Sequence, residues 1–122
     1  MVYEPRNYST TYPTPLGVYV NKVLSLANSG MYPDWHADIE VLSPKGKKKI
    51  YDVLMGEITE LRKSRNRLRR DLVQRVKPHD KVQVKTLEDE IRWYDERVAY
   101  RQRGIEYLKS FQDFLLLLSK VK

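Results

Sequence analysis

The chain has 122 residues, 41% hydrophobic and 32% charged, a balance that excludes wholesale disorder and fits one domain. It has no cysteine, which excludes disulfides, thiolate catalysis and cysteine-based zinc sites. Its formal net charge of +7 is uneven: residues 1–44 carry 2 basic against 4 acidic side chains, residues 45–85 carry 14 against 5, and residues 86–122 carry 7 against 7.

Residues 1–15 read as an extended arm. Pro5, Pro13 and Pro15 oppose helix there, and Tyr3, Tyr8 and Tyr12 punctuate Ser/Thr-rich spacing. The first residues lack an apolar stretch, so no signal peptide is expected, and no apolar run approaches the roughly 20 residues of a membrane span. A soluble, cytoplasmic chain is the plain expectation.

Residues 16–122 are expected to form a single helical domain. Thr14-Pro15 is a helix start, Leu16, Val20, Val23 and Ala27 recur at helical spacing, and Asn28-Ser29-Gly30 is a stop. Residues 31–44, bracketed by Pro33 and Pro44 around Trp35, Ile39, Val41 and Leu42, form either a short helix from Asp34 or a loop that plugs the core. From Lys48 to Val76, Ile50, Leu54, Ile58, Leu61, Leu68, Leu72 and Val76 form one stripe. Lys77-Pro78-His79-Asp80 breaks it. A second long helix runs over about 86–120, starting at Asp80 or at Thr86, where Asp89 completes a capping signal. Its stripe is Leu87, Ile91, Tyr94, Val98, Ile105, Leu108 and Leu115. Two such helices joined by a short turn bury their stripes only when antiparallel. The expected fold is all-α: an extended N-terminal arm, a short helix, then a long antiparallel hairpin of about 40 Å, its helices at 48–76 and 86–120.

The last helix carries surplus apolar surface. Trp93, Tyr100, Tyr107 and Phe114 recur every seven residues with Phe111 beside them. This row lies about 150° around the helix from the stripe, so one partner helix cannot cover both. Either residues 16–44 cover it within the subunit, or it packs on another copy as aromatic interfaces do. Self-association through Trp93, Tyr100, Tyr107, Phe111 and Phe114 is the sharper expectation.

The basic residues form two knots, Lys45, Lys47, Lys48 and Lys49, then Arg62, Lys63, Arg65, Arg67, Arg69 and Arg70, followed by Arg75 and Lys77. Lys63, Arg67 and Arg70 point away from the stripe, and Arg62, Arg65 and Arg69 border it. Acids of the second helix (Glu88, Glu90, Asp95, Glu96) are available to pair across the hairpin, but that helix already balances its own charge. The excess therefore predicts a polyanion surface, to which Arg6 of the arm also contributes. No zinc finger, helix-turn-helix turn or RNA-recognition signature appears, so backbone contact without base reading is expected. Lysines ahead of a helix N-terminus could seat phosphate, although the P-loop spacing is absent.

Catalytic chemistry is not indicated. Asp34, His36 and Asp38, with His79-Asp80, match no known metal-ligand set, and no nucleophile elbow is present. No cofactor, metal or catalytic residue is expected. Arginines within an apolar helical stripe, Arg65 and Arg101, resemble the dicarboxylate-binding arginines of all-helical chorismate mutases. The family's catalytic spacing is not matched, and pairing with acids at the hairpin edge is the expectation for both.

Pro5-Arg6-Asn7-Tyr8-Ser9 is similar to a Pro-Arg-x-Tyr-Ser stretch near the start of some small coat proteins of filamentous archaeal viruses. With a basic helical body, the chain resembles that group, although its C-terminal hairpin is more charged than theirs. The resemblance implies a virion protein that coats double-stranded DNA, in preference to RNA, alongside other copies of itself. The alternatives are a hairpin adaptor for an acidic protein and a ribosome-associated RNA-binding protein.

Overall fold

The computed structural model describes residues 14–74 and 80–120. Arg6, Arg75, Lys77, the Pro5–Ser9 stretch and the Lys77–His79 break lie outside these residues. Thr14 and Pro15, assigned above to the arm, already belong to a helix.

All regular structure among the described residues is α-helical: α1 Thr14–Asn28, α2 Trp35–Glu40, α3 Pro44–Gln74, α4 Lys81–Lys109 and α5 Gln112–Lys120. Each boundary has a local cause. Ser29 and Gly30 donate their backbone N–H groups to Ser25 O, both at 2.9 Å, and Gly30 takes φ +64°, turning the chain out of α1. Ser43 caps α3, its Oγ accepting from Gly46 N at 3.0 Å, with Pro44 at the first helical position. Asp80 caps α4, its Oδ1 accepting from Gln83 N at 3.2 Å. Thr86, the other candidate start, lies inside α4 and bonds back to Val82 O.

The chain beyond Asp80 is not one helix to its end, which corrects the expectation of a helix over 86–120. It breaks at Ser110 and Phe111, whose N–H groups turn to Tyr107 O and Leu108 O at 3.1 Å. Ser110 Oγ also donates to Tyr107 O at 2.6 Å, competing with the helical ladder. The break lets α5 fold onto α3 and bury Phe114 completely, its ring centroid 5.4 Å from that of Tyr51.

α3 and α4 form the hairpin, and α3, at 31 residues, is about 46 Å long. The core lies at one end of it. Val20, Val23 and Leu24 of α1, Ile39 of α2, Ile50, Leu54 and Ile58 of α3, Val98, Ile105 and Leu108 of α4 and Phe114 of α5 are all buried. α1, α3 and α4 meet at Gly104, where a Cβ would stand 3.1 Å from both Leu24 Cδ2 and Leu54 Cδ1. The other half is different. No residue between 61 and 74 or between 80 and 97 is fully buried, so there the two helices shield only each other.

Candidate nucleic-acid interface

α3 holds both basic knots on one rod. By helical spacing Lys45, Lys49, Lys63, Arg67 and Arg70 fall along the face opposite Ile50, Leu54 and Ile58, a ridge of about 37 Å. All five are exposed. Asp52, Gly56 and Thr59 occupy the same face between the knots, leaving a gap of small or acidic side chains. Arg62 and Arg69 flank the ridge and are also exposed.

Few of these charges are neutralised by other described residues. Lys45, Lys49, Arg62, Arg67 and Arg70 hold no ion pair among the described residues. Lys63 reaches Glu60 at 3.4 Å and Lys48 reaches Asp52 at 2.6 Å, pairs of the kind worth little in water. Arg65 is half-buried against Asp95 at 3.1 Å, and Arg69 approaches the same carboxylate at 3.5 Å. Arg65 therefore serves the hairpin edge rather than the outer ridge. Of the four α4 acids that could neutralise the knot, only Asp95 crosses to it; Glu88, Glu90 and Glu96 hold no ion pair among the described residues. The hairpin thus has a cationic flank on α3 and acids on the flank of α4.

Lys47 is the exception in its knot. It is only 1% exposed, and its ammonium donates to Leu42 O at 2.8 Å and Glu40 O at 3.3 Å and pairs with Asp113 at 3.0 Å. It also lies 4.8 Å from the centroid of the Phe111 ring. This lysine ties the end of α2 to the start of α5 and is withdrawn from any phosphate surface, correcting its assignment there. Arginine chemistry elsewhere is equally internal. Arg101 is 8% exposed and donates to Glu57 Oε1 at 2.6 Å and Arg97 O at 3.1 Å. An open groove of about 610 Å³ beside it, lined by Asp52, Glu57 and Glu60, is acidic where a dicarboxylate site would be basic.

The aromatic row is divided by the fold. Phe114 is fully buried, which corrects its assignment to self-association, and Tyr100, Tyr107 and Phe111 pack, half-buried, on the core of their own subunit, the first alternative above. Asn28 at the end of α1 donates to Tyr100 O at 3.1 Å. His36 Nδ1 lies 2.7 Å from the Tyr107 hydroxyl, and its ring stacks on Phe111 with centroids 5.3 Å apart. Burial first, and the Glu40 charge second, push the Tyr107 pKa up to about 12. Only Trp93, 46% exposed, stays open.

No three His, Asp or Glu side chains converge among the described residues. Asp38, close to His36 in sequence, pairs instead with Lys22 at 2.7 Å. No helix among the described residues is long and apolar enough to cross a membrane.

Two features escaped the sequence reading although their signals were present. Lys47 stands three residues before Ile50 and seven before Leu54, inside the apolar stripe. The lysine and arginine knots share one face because 45, 49, 63, 67 and 70 keep helical register across the intervening segment. No protein-family model, curated protein or solved structure matches the chain.

Proposed function

We propose that this is a non-enzymatic structural protein that binds nucleic-acid backbone without sequence specificity and self-assembles. Packaging of double-stranded DNA in a filamentous virion is its best assignment. The observation that supports this most is the ridge of exposed, weakly paired cations along one face of α3. A helical rod bearing charge at both ends suits a stiff polyanion, because each phosphate it meets releases a counterion. Asn66 is the one amide side chain within the arginine knot, and its Oδ1 accepts from Arg65 at 3.3–3.4 Å; lysine and arginine otherwise position a backbone and do not select a base. The similarity of Pro5–Ser9 to the filamentous archaeal coats adds the virion and the duplex DNA to this reading.

The test is a salt titration of binding to labelled duplex DNA, with duplex RNA in parallel and mass per length recorded. Five ridge contacts predict a log–log slope of about −4 to −5. Changing Lys63, Arg67 and Arg70 together to Gln should flatten it by about 3 units. An unchanged slope would remove the ridge from the interface. Absence of binding at low salt would end the nucleic-acid reading in favour of an adaptor for an acidic protein, and preference for structured RNA would favour the ribosome-associated role.

A further inference from the structure

The basic ridge of α3 is interrupted. Lys45 and Lys49 form one cluster, about 6 Å long at 1.5 Å per residue, and Lys63, Arg67 and Arg70 form a second of about 10 Å. Their centres stand about 30 Å apart. No basic side chain lies between Lys49 and Arg62, which flanks the second cluster. Asp52, Gly56 and Thr59 face outward in this gap, with Glu60 beside them, and all four are exposed. Asp52 is held by Lys48 at 2.6 Å, and Thr59 donates its hydroxyl to Met55 O at 2.9 Å, so neither offers a phosphate a donor. Gly56, seven residues from Lys49 and seven from Lys63, has nothing within 4 Å of where a Cβ would stand.

A rod that follows one phosphate backbone needs cations along its whole length. A rod laid along the axis of a duplex does not. There the two backbones pass beneath it as a pair flanking the minor groove, about 6 Å wide, and the next pair arrives about 34–36 Å further on, one turn later. Between the pairs the major groove, about 12 Å wide, lies open. The clusters fit that repeat: their centres are about 30 Å apart and their outermost charges about 37 Å apart, on flexible stems. Asp52 and Glu60, which repel phosphate, then fall over the groove.

We infer that α3 lies along the duplex axis and bridges the major groove, its two clusters seated on backbone pairs one turn apart. This rests on the backbone-binding reading above and adds the ligand the ridge needs: a duplex at least one turn long. A shorter duplex offers one seat, and the clusters then compete for it.

The test uses the full chain and two readouts. On labelled duplex DNA of about 20 base pairs, Gly56→Lys should keep the log–log salt slope of its uncharged control Gly56→Gln, because a lysine over the groove meets no phosphate. Steepening by about 0.9, the value of one more phosphate contact, would place a backbone under the gap and overturn the inference. Lys45→Gln combined with Lys49→Gln should weaken binding to this duplex about tenfold or more at low salt. On a duplex of about 8 base pairs, about 27 Å long, the same pair of changes should weaken it less than about threefold, since the second cluster alone fills the seat. Equal losses at both lengths overturn the inference. Either overturning result leaves backbone binding standing, whereas absence of binding to any duplex removes both.

Discussion

Lys47 and Lys49 are two residues apart and do opposite things. Lys47 points inward and satisfies two carbonyls and a carboxylate; Lys49 points outward. Replacing Lys47 with Met keeps the volume of the stem but leaves Glu40 O and Leu42 O without their donor. A cost of about 1–3 kcal/mol is expected for such stranded groups. Lys49→Gln should leave stability within about 0.5 kcal/mol, as exposed substitutions do, while reducing the salt slope of duplex binding by about 1. Chemical denaturation and the salt titration on the same two variants separate the roles. Equal effects of both variants on the slope would return Lys47 to the phosphate surface. Composition could not distinguish them, since a lysine in a run of lysines looks solvated. Register could, because position 47 continues the stripe of Ile50, Leu54 and Ile58.

At the scale of elements, periodicity carried the hairpin. The helix that carries the apolar stripe runs unbroken past Arg65, which falls inside the stripe, because no proline interrupts it between Ile50 and Leu72. Ends were legible where a cap is local, at Thr14-Pro15 and Asn28-Ser29-Gly30, whereas the expected start of α4 at 86 misses the cap at Asp80, which the sequence admits only as an alternative to Thr86. The break at Ser110 was not legible, because its cause is tertiary. Phe114 gains Tyr51 and the core only if the chain bends, and nothing within residues 106–114 announces that partner. Two glycines show how packing decides what local propensity cannot. Gly56 has open space where a Cβ would be, so Gly56→Ala should stabilise α3 by about 0.5–1 kcal/mol through backbone entropy alone. At Gly104 a Cβ already crowds Leu24 and Leu54 at 3.1 Å, and the larger Val should cost about 1–3 kcal/mol by overpacking. Thermal unfolding of both variants checks the pair; a neutral Gly104→Val would mean that α1 does not close on α4 there.

The whole molecule separates its stability from its charge. Every fully buried side chain among the described residues belongs to the α1, α2 and α5 end of the hairpin, whereas most of the exposed arginines project from the other end. Half-buried Leu61, Leu68, Leu72, Val84, Leu87, Ile91 and Tyr94 are the apolar side chains that line the seam of that distal half among the described residues. Between residues 61 and 74, α3 carries 6 basic side chains and 1 acidic one, so mutual repulsion opposes the seam. A segment with little burial and unscreened like charge opens below the global unfolding free energy. Amide hydrogen exchange should therefore show residues 61–74 and 81–95 exchanging well before residues 47–58 and 98–108. Moderate salt should slow exchange at the distal end by screening that repulsion. At low salt, duplex DNA should slow it further, and more in α3 than in α4, because the phosphates neutralise the ridge directly. Uniform protection along the hairpin would show that the distal seam is as stable as the core. Duplex-induced protection confined to α4 would place the backbone on the wrong helix for the ridge.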